Sequence, residues 1–247
     1  MTSHSQSLNS GPPALEMILS PPHPCGYLSH QTAHTLHVHP VQPMDMNRFE
    51  YLLATGFRRS GNLVYRPWCS ECAGCIPVRV RVADFQMTRG LRRVIRRNHD
   101  LTIRTGRPTF SGEHFRLYQR YLDSRHGDGP MADPNPEDFM EFLHSDWCAV
   151  RFIDFRWRGR LIQTAVIDQL RNALSAVYTF FDPKESARSL GTLAILWEIE
   201  MARQMELDWL YLGYWIADCP KMRYKSRFQP LEAYVNRRWI LMPDHPE

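Results

Sequence analysis

Lysine is scarce in this sequence: Lys184, Lys221 and Lys225 are its three lysines, beside 27 arginines. The base composition of the genome is one explanation for this imbalance. Whatever its origin, it makes each lysine more informative than in an ordinary chain. Two of the three stand four residues apart near the C-terminal end, which makes that segment a candidate site.

Long apolar runs are also missing. No stretch approaches the roughly 18 consecutive apolar residues of a membrane-spanning helix. The first residues are rich in Ser, His and Pro, where a signal peptide has a basic end followed by an apolar run. We therefore expect a cytoplasmic protein that does not contact a membrane. Its 247 residues, 43% of them hydrophobic, suffice for the core of one large domain or two modest ones.

Cysteines are few, but three of the six stand close together. Cys69, Cys72 and Cys75 are separated by two residues each, a spacing with which a tight turn can direct thiolates at one metal ion or cluster. Cys25 is a candidate fourth ligand from an earlier segment. Four sulfur ligands would suit zinc or an iron–sulfur cluster, although no fourth cysteine follows at the offset found in ferredoxins. The alternative is a group of thiols packed together without metal.

Positive charge is concentrated in one segment. Twelve arginines lie from Arg58 to Arg107, against Glu71, Asp84 and Asp100. This segment therefore carries a charge of +9, and the rest of the chain carries −5 of the net +4. Such asymmetry indicates a polyanionic partner for the N-terminal region.

A helix predicted from Met87 to His99 carries five of these arginines on one face. Steps of three, four, seven and eight residues align them, with Leu91, Val94 and Ile95 opposite. Guanidinium groups in such a row repel each other unless they are solvated or neutralised, and their fork geometry suits phosphate. We expect contact with an RNA backbone; a solvated surface is the alternative. The arginine stripe, as we call it, consists of Arg89, Arg92, Arg93, Arg96 and Arg97.

The N-terminal region is predicted to contain short helices and strands. Residues 1–22 are rich in Ser, Pro and Gly, and we expect them to be a flexible lead-in. Asp45 is placed to cap a helix that ends at Gly56. Val78 and Val80 alternate with arginines, which is the pattern of a half-buried strand.

The C-terminal part has the pattern of an α/β protein. Strand-like runs at 149–156, 161–170 and 173–181 are separated by turns and indicate an antiparallel meander. A helix over 190–205 and a strand over 209–212 follow. This order predicts a sheet that helices cover on at least one face.

We divide the chain into three parts on these grounds. The lead-in is followed by a basic, cysteine-containing region over 23–108 and by a C-terminal domain over 109–247. The C-terminal domain begins with an amphipathic helix predicted over 110–121. A segment rich in Gly, Pro and Asp at 127–136 is predicted to be a loop.

The predicted helix at residue 190 begins with a candidate anion site. Exposed amides, a small residue that permits close approach and the positive end of the helix dipole can together hold a phosphate or a terminal ribose. Many helices begin this way without a ligand. The position after an antiparallel meander distinguishes this one, whose residues are Ser189, Gly191 and Thr192.

A second candidate site follows the last predicted strand. Aromatic residues from Tyr211 to Ile216 precede a run of alternating cations and phenols. Such a set can stack a terminal base and hold an anionic group. The alternative is a buried aromatic strand end beside solvated charges. The side chains concerned are Tyr214, Lys221, Arg223, Tyr224 and Lys225.

Five blocks of sequence together resemble the arginyl-tRNA–protein transferase family. They are PCGYL from Pro24, RPWCSECAGCIPVR from Arg66, RRVIRRNHDL from Arg92, FFDPKESARSLGT from Phe180, and YLGYWI with KMRYKSRFQPLE from Tyr211. They occur in order along nearly the whole chain. The resemblance is closer to the bacterial branch of the family than to the eukaryotic members, whose cysteines follow a different pattern that includes an adjacent pair.

The resemblance implies a C-terminal fold related to GCN5-type N-acyltransferases, with an antiparallel or mixed sheet and flanking helices. It implies transfer of leucine from leucyl-tRNA, the co-substrate, to the N-terminal α-amine of proteins that begin with Asp or Glu, which directs them to proteolysis. The helix start that holds pyrophosphate in acetyltransferases would here receive the 3′ end of the tRNA. Arginine is the alternative donor, because both kinds of transferase share these blocks.

The implied reaction is attack by a protein α-amine on the ester that joins leucine to tRNA. An α-amine with a pKa of about 7.7–8.0 is partly neutral near pH 7, so alignment and oxyanion stabilisation are the larger tasks. Catalysis is assigned to Tyr214, Lys221, Tyr224 and Lys225. Recognition of the acceptor carboxylate is assigned to Arg79 and Arg223. Contact with tRNA is assigned to the arginine stripe and to Ser189, Gly191 and Thr192.

Two further hypotheses remain open. An acetyltransferase that uses acetyl-CoA would explain the C-terminal pattern but not the arginine stripe. An RNA-binding module braced by a metal would explain the stripe and the cysteines, but it leaves the C-terminal cluster of aromatics and cations without a role.

Overall fold

The computed structural model describes residues 15–125 and 134–243. Its helices are α1 (Met46–Ala54), α2 (Arg89–Arg97), α3 (Gly112–Arg125), α4 (Pro136–Leu143), α5 (Leu190–Gln204) and α6 (Pro220–Arg223), with 3-10 turns at Val82–Asp84, Pro183–Arg188 and Tyr224–Arg227. Its strands are β1 (Met17–Leu19), β2 (His23–Pro24), β3 (Thr32–Ala33), β4 (Thr35–Val38), β5 (Arg58–Ser60), β6 (Leu63–Pro67), β7 (Ile76–Arg81), β8 (Leu101–Gly106), β9 (Ala149–Trp157), β10 (Arg160–Gln169), β11 (Ala173–Phe181), β12 (Trp209–Trp215), β13 (Leu231–Val235) and β14 (Arg238–Leu241).

An eight-stranded mixed sheet organises the molecule, in the order β14-β13-β7-β12-β11-β10-β9-β8. β9, β10 and β11 form the antiparallel meander that the sequence predicts, and β12 returns parallel to β11 after α5. A mixed sheet with flanking helices confirms the predicted fold class. β7 and β8 precede residue 108 in the chain, so the large sheet takes strands from both sides of the predicted division.

Helices cover both faces of the large sheet. α5 and the apolar side of α2 pack against one face, in a core that contains Ile153, Leu174 and Leu210. α3 and α4 cover the other face around Phe152 and Phe180. A smaller antiparallel sheet, in the order β1-β4-β6-β5, contributes with α1 to a third apolar cluster. No helix among the described residues is long and apolar enough to cross a membrane.

Most predicted elements are found where the pattern places them. The side chain of Asp45 caps α1 by accepting a hydrogen bond from the amide of Arg48, and the strand predicted over 209–212 continues to Trp215. One prediction needs correction: Met17–Leu19, inside the expected lead-in, pairs with β4 although its side chains are exposed. Its three side chains are all apolar and all exposed, so the segment lacks the alternation of apolar and polar residues that marks a half-buried strand. Residues 1–14 of that lead-in and most of the predicted loop at 127–136 lie outside the described residues.

A buried ion pair joins the two sheets. The guanidinium of Arg59, on β5, contacts both carboxylate oxygens of Asp168, on β10, at 2.5–2.9 Å. Both side chains are at most 1% exposed. Arg59 also donates to the backbone carbonyls of Gly61, Leu143 and His144. All of the N–H donors of the Arg59 guanidinium are therefore used within the protein.

Removing one partner of this ion pair is expected to be costly. Arg59→Met should lower the free energy of unfolding by about 3–5 kcal/mol, because it leaves the Asp168 carboxylate buried without a counter-charge. The double variant Arg59→Met/Asp168→Leu should recover part of the loss, since no unpaired charge remains. Urea denaturation of the three proteins measures both effects, and a loss below about 1 kcal/mol in the single variant would contradict the interpretation.

Candidate functional site

The large sheet opens between its two parallel strands. β11 and β12 are paired only from Ala173 to Ser175 and from Trp209 to Tyr211, although both strands continue beyond these residues. A register shift in the pairing of β12 with β7 follows at Gly213. Beyond Ser175, the side chains of residues 176–179 become half-buried. The divergence leaves a gap in the middle of the sheet, next to the start of α5.

Arg58 extends into this gap from β5. Its guanidinium donates to Ser175 Oγ at 3.2 Å and to the carbonyl of Ala176, the first β11 residues at and beyond the end of the pairing. Gly213 lies against it with φ +77°, and a Cβ there would lie 3.3 Å from Arg58 Cζ. The strand can approach the guanidinium because this residue is glycine. A buried cation thus replaces the missing backbone pairing.

Lys225 brings a second cation to the same place. It is 7% exposed, and its Nζ donates to the Tyr214 carbonyl at 2.6 Å. Burial, reinforced by the nearby charge of Arg58, lowers the pKa of Lys225 to about 7. The phenol of Tyr214 donates instead to the Gly56 carbonyl, at 3.0 Å. Lys225 and Tyr214 are therefore both hydrogen-bonded inside the protein.

Glu198, on α5, is a buried carboxylate that the sequence interpretation missed. It is 1% exposed, and neither of its oxygens has a hydrogen-bond partner among the described residues. Burial raises its pKa to about 8, opposed by the charge of Arg58. Burial and the neighbouring Glu198 carboxylate raise the pKa of Tyr224. The sequence does contain one signal for Glu198: its spacing of four and eight residues from Ala194 and Leu190 places it on the apolar side of α5.

Two cavities adjoin at the start of α5, where they share lining residues. One, of about 350 Å³, is lined by Ser189, Gly191, Thr192, Lys221 and Tyr224, among others. It therefore brings together two separate sets of predicted site residues. Lys221 is exposed at this cavity and donates to the Arg125 carbonyl at 3.1 Å. We call this cavity of about 350 Å³ the terminal pocket.

The second cavity, of about 720 Å³, runs along α2 and is called the basic groove. It shares Ser189 and Thr192 with the terminal pocket, and its walls include Arg93, Arg97 and Arg227. Every arginine of the stripe is exposed. The apolar side of α2 is less complete than predicted, because Ile95 is 42% exposed.

Arg79 is not free to bind an acceptor carboxylate, contrary to the prediction. Its guanidinium lies between the rings of Trp209 and Trp239, 3.5 and 4.2 Å from their centroids. It is paired at 2.8 Å with Glu232 and also donates to the Tyr211 hydroxyl. An internal carboxylate thus takes the place expected for a substrate. Arg223, on α6, is exposed.

The four predicted cysteine ligands are neighbours in space. Burial and the electrostatic influence of Cys25, Cys69 and Cys72 raise the pKa of Cys75 to about 12. Cys75 is also near enough to Lys225 to influence its pKa, so the cysteines border the candidate site. Among the described residues, however, no three His, Cys, Asp or Glu side chains are arranged to hold a metal ion. The donor set suits a soft metal, and the metal site stays a prediction.

Comparison with known proteins defines the class to which this chain belongs. Residues 23–93 match the family model described as "Arginine-tRNA-protein transferase, N terminus", and residues 113–235 match the corresponding C-terminal model. The chain therefore belongs to the arginine-tRNA-protein transferase family, and it is a transferase.

Individual relatives are similar over almost their whole length. The aspartate/glutamate leucyltransferase of Pseudomonas fluorescens (strain Pf0-1) is 47% identical over 228 residues, which cover 92% of this chain and 97% of that protein. The enzyme of the same name from Pseudomonas aeruginosa (strain LESB58) is 46% identical over the same shares. Among solved structures, that of L-PGS from Bacillus licheniformis aligns with a TM-score of 0.45 and 12% identity, over 69% of this chain and 50% of that chain.

The buried state of Lys225 predicts a dependence of stability on pH. Between pH 7 and 10.5 the unfolded chain binds more protons at this residue than the folded protein does, so its contribution to stability rises with pH. Relative to Lys225→Met, the parent should gain about 2 kcal/mol or more in free energy of unfolding from pH 7 to pH 9.5, because one pKa unit is worth about 1.4 kcal/mol. Urea denaturation at both pH values measures this gain. Lys184→Met is the control at an exposed lysine, and an equal gain there would contradict the prediction.

Proposed function

We propose that this protein transfers leucine from leucyl-tRNA to the N-terminal α-amine of proteins that begin with Asp or Glu. It would do so in the cytoplasm, where tRNA is aminoacylated, and thereby mark these proteins for proteolysis. The observation that carries the proposal is the 47% identity, over 92% of the chain, with a relative named aspartate/glutamate leucyltransferase. The two cavities support it independently: the basic groove suits a polyanion, and the smaller terminal pocket suits the single-stranded end of one.

The tRNA would lie along α2. Exposed arginines contact phosphates without reading bases, which suits an enzyme that takes its donor from the end of the acceptor stem. The basic groove leads from Arg93 and Arg97 to Ser189 and Thr192, where the terminal pocket begins. The single-stranded 3′ end would follow this path. The positive end of the α5 dipole would then face its last phosphate or ribose.

The ester carbonyl would then lie near the gap between β11 and β12. The acceptor amine attacks the carbonyl carbon, and negative charge develops on the carbonyl oxygen. Tyr224 faces the terminal pocket, and its raised pKa keeps the phenol protonated as a hydrogen-bond donor for this oxygen. The buried Lys225 would act by holding the end of β12 in place, since its Nζ donates to the Tyr214 carbonyl. Lys221 and Arg223, both exposed, are the cations left to bind the acceptor's acidic side chain.

The cysteines would support this site without taking part in the reaction. Four thiols that suit zinc or an iron–sulfur cluster border the buried lysine, and we propose Cys25, Cys69, Cys72 and Cys75 as its ligands. Such a metal would hold the loops that carry the cysteines together. No step of the transfer is assigned to it.

The donor and the acceptor can be established in one assay. The protein is incubated with leucyl-tRNA or arginyl-tRNA, each labelled in the amino acid, and with peptides that begin with Asp, Glu or Ala. We expect label to pass from leucyl-tRNA to the Asp and Glu peptides alone.

Each other outcome of that assay has a definite meaning. Transfer from arginyl-tRNA would replace leucine by arginine as the donor. Binding of tRNA without transfer to any peptide would favour an RNA-binding module. Peptides acetylated by acetyl-CoA in a parallel reaction would favour the acetyltransferase hypothesis.

The basic groove predicts which arginines of the stripe matter for RNA. Arg93→Ala and Arg97→Ala should each weaken tRNA binding and reduce the slope of log affinity against log salt by about 1, because each removes roughly one phosphate contact. Filter binding at several salt concentrations measures both effects. Arg120→Ala, at an exposed arginine of α3, is the matched control. Equal losses in the control would show that overall charge, not the groove, determines binding.

A further inference from the structure

Glu198 has no role in the fold that explains its position. It lies on the side of α5 that also carries Leu190, Ala194 and Ala202, each at most 1% exposed. Neither carboxylate oxygen has a hydrogen-bond partner among the described residues. Buried carboxylates are nearly always paired or hydrogen-bonded, because burial without partners is costly. The cost here points to a partner that arrives from outside.

Two neighbours define where the carboxylate lies. Arg58 occupies the gap between β11 and β12, and its positive charge acts to lower the pKa of Glu198. Tyr224 faces the terminal pocket, and Glu198 influences its pKa in turn. The guanidinium of Arg58 donates to Ser175 and Ala176, so it does not satisfy the carboxylate. Glu198 is therefore within electrostatic range of both Arg58, in the gap, and Tyr224, at the terminal pocket.

We propose that Glu198 is the binding site for the α-amino group of a substrate, which it holds as an ammonium ion. The inference rests on the proposed function, in which two α-amines take part: that of the aminoacyl ester and that of the acceptor protein. A primary ammonium offers three donors on a compact cation, which complements two unused carboxylate oxygens. In its ionised form the carboxylate would repel a phosphate or another carboxylate at the same position.

The ionisation of Glu198 is consistent with this role. Its pKa of about 8 leaves the carboxyl group mostly protonated near pH 7 when no cation is bound, which reduces the cost of burying it. An arriving ammonium ion favours the ionised form. For the acceptor, transfer of one ammonium proton to the carboxylate breaks an N–H bond and forms an O–H bond, which leaves a neutral amine to attack the ester.

Paired ligands that differ only in a blocked amine test the inference. One pair is a peptide beginning with Asp, with a free or an acetylated N-terminus. The other pair is leucyl-tRNA and N-acetyl-leucyl-tRNA. Binding of each is measured by competition against fluorescently labelled tRNA or peptide. We expect the parent to favour the free amine at least tenfold in one pair, and both Glu198→Gln and Glu198→Met to lose that preference.

Glu200→Gln provides the matched control on the same helix. Glu200 is partly exposed and paired with Arg203, so the parent's preference should persist when it is substituted. Loss of the preference within the peptide pair assigns Glu198 to the acceptor amine, and loss within the tRNA pair assigns it to the donor. A preference that survives in both Glu198 variants overturns the inference, as does a parent without any preference.

Thermal unfolding distinguishes a binding role from a structural one. Removing a carboxylate without partners breaks no hydrogen bond, so the midpoint of neither Glu198 variant should fall below that of the parent. A fall in both variants, together with loss of tRNA binding, would assign Glu198 to the fold and overturn the inference. Failure of the proposed function would appear as a parent that transfers nothing, whereas failure of this inference alone leaves the parent's transfer intact.

Discussion

Two consecutive arginines hold this structure together, and each performs a different task. Arg59 closes a buried ion pair with Asp168 and so joins the small sheet to the large one. Arg58, its neighbour on β5, fills the gap where β11 and β12 separate. The backbone that fixes the interface between the sheets therefore also delivers a cation to the candidate site. The charge of Arg58 influences the pKa values of both buried ionisable groups near that site, Lys225 and Glu198.

The candidate site combines two parts of the molecule that differ in exposure and charge. α2 and the start of α5 form a basic path on the surface, suited to a long polyanion. Near the gap in the sheet, burial lowers the pKa of Lys225 to about 7 and raises the pKa of Glu198 to about 8. The terminal pocket connects the two parts through Tyr224. Under the proposed function, binding of RNA and chemistry at an amine would use separate, adjoining surfaces.

Local patterns predicted the elements of this fold well, and the limits of prediction have physical causes. Periodicity located α2, the meander and α5, and the family blocks brought the two groups of site residues into one hypothesis. The unpartnered state of Glu198 depends on how α5 lies on the sheet, which no local pattern contains. Arg79 looked available because its alternation with valines marks only a face of β7. Its partners Glu232, Trp209 and Trp239 come from distant strands that tertiary packing brings together.

Gly213 illustrates how closely two positions can depend on each other. Its φ of +77° and its contact with Arg58 belong to one arrangement. A larger residue at position 213 would have to displace the guanidinium of Arg58. A shorter side chain at position 58 would leave a void beside Gly213. A substitution at either position alone is therefore expected to be destabilising. A designer who wished to widen the opening for a bulkier ester would have to change both residues in the same step.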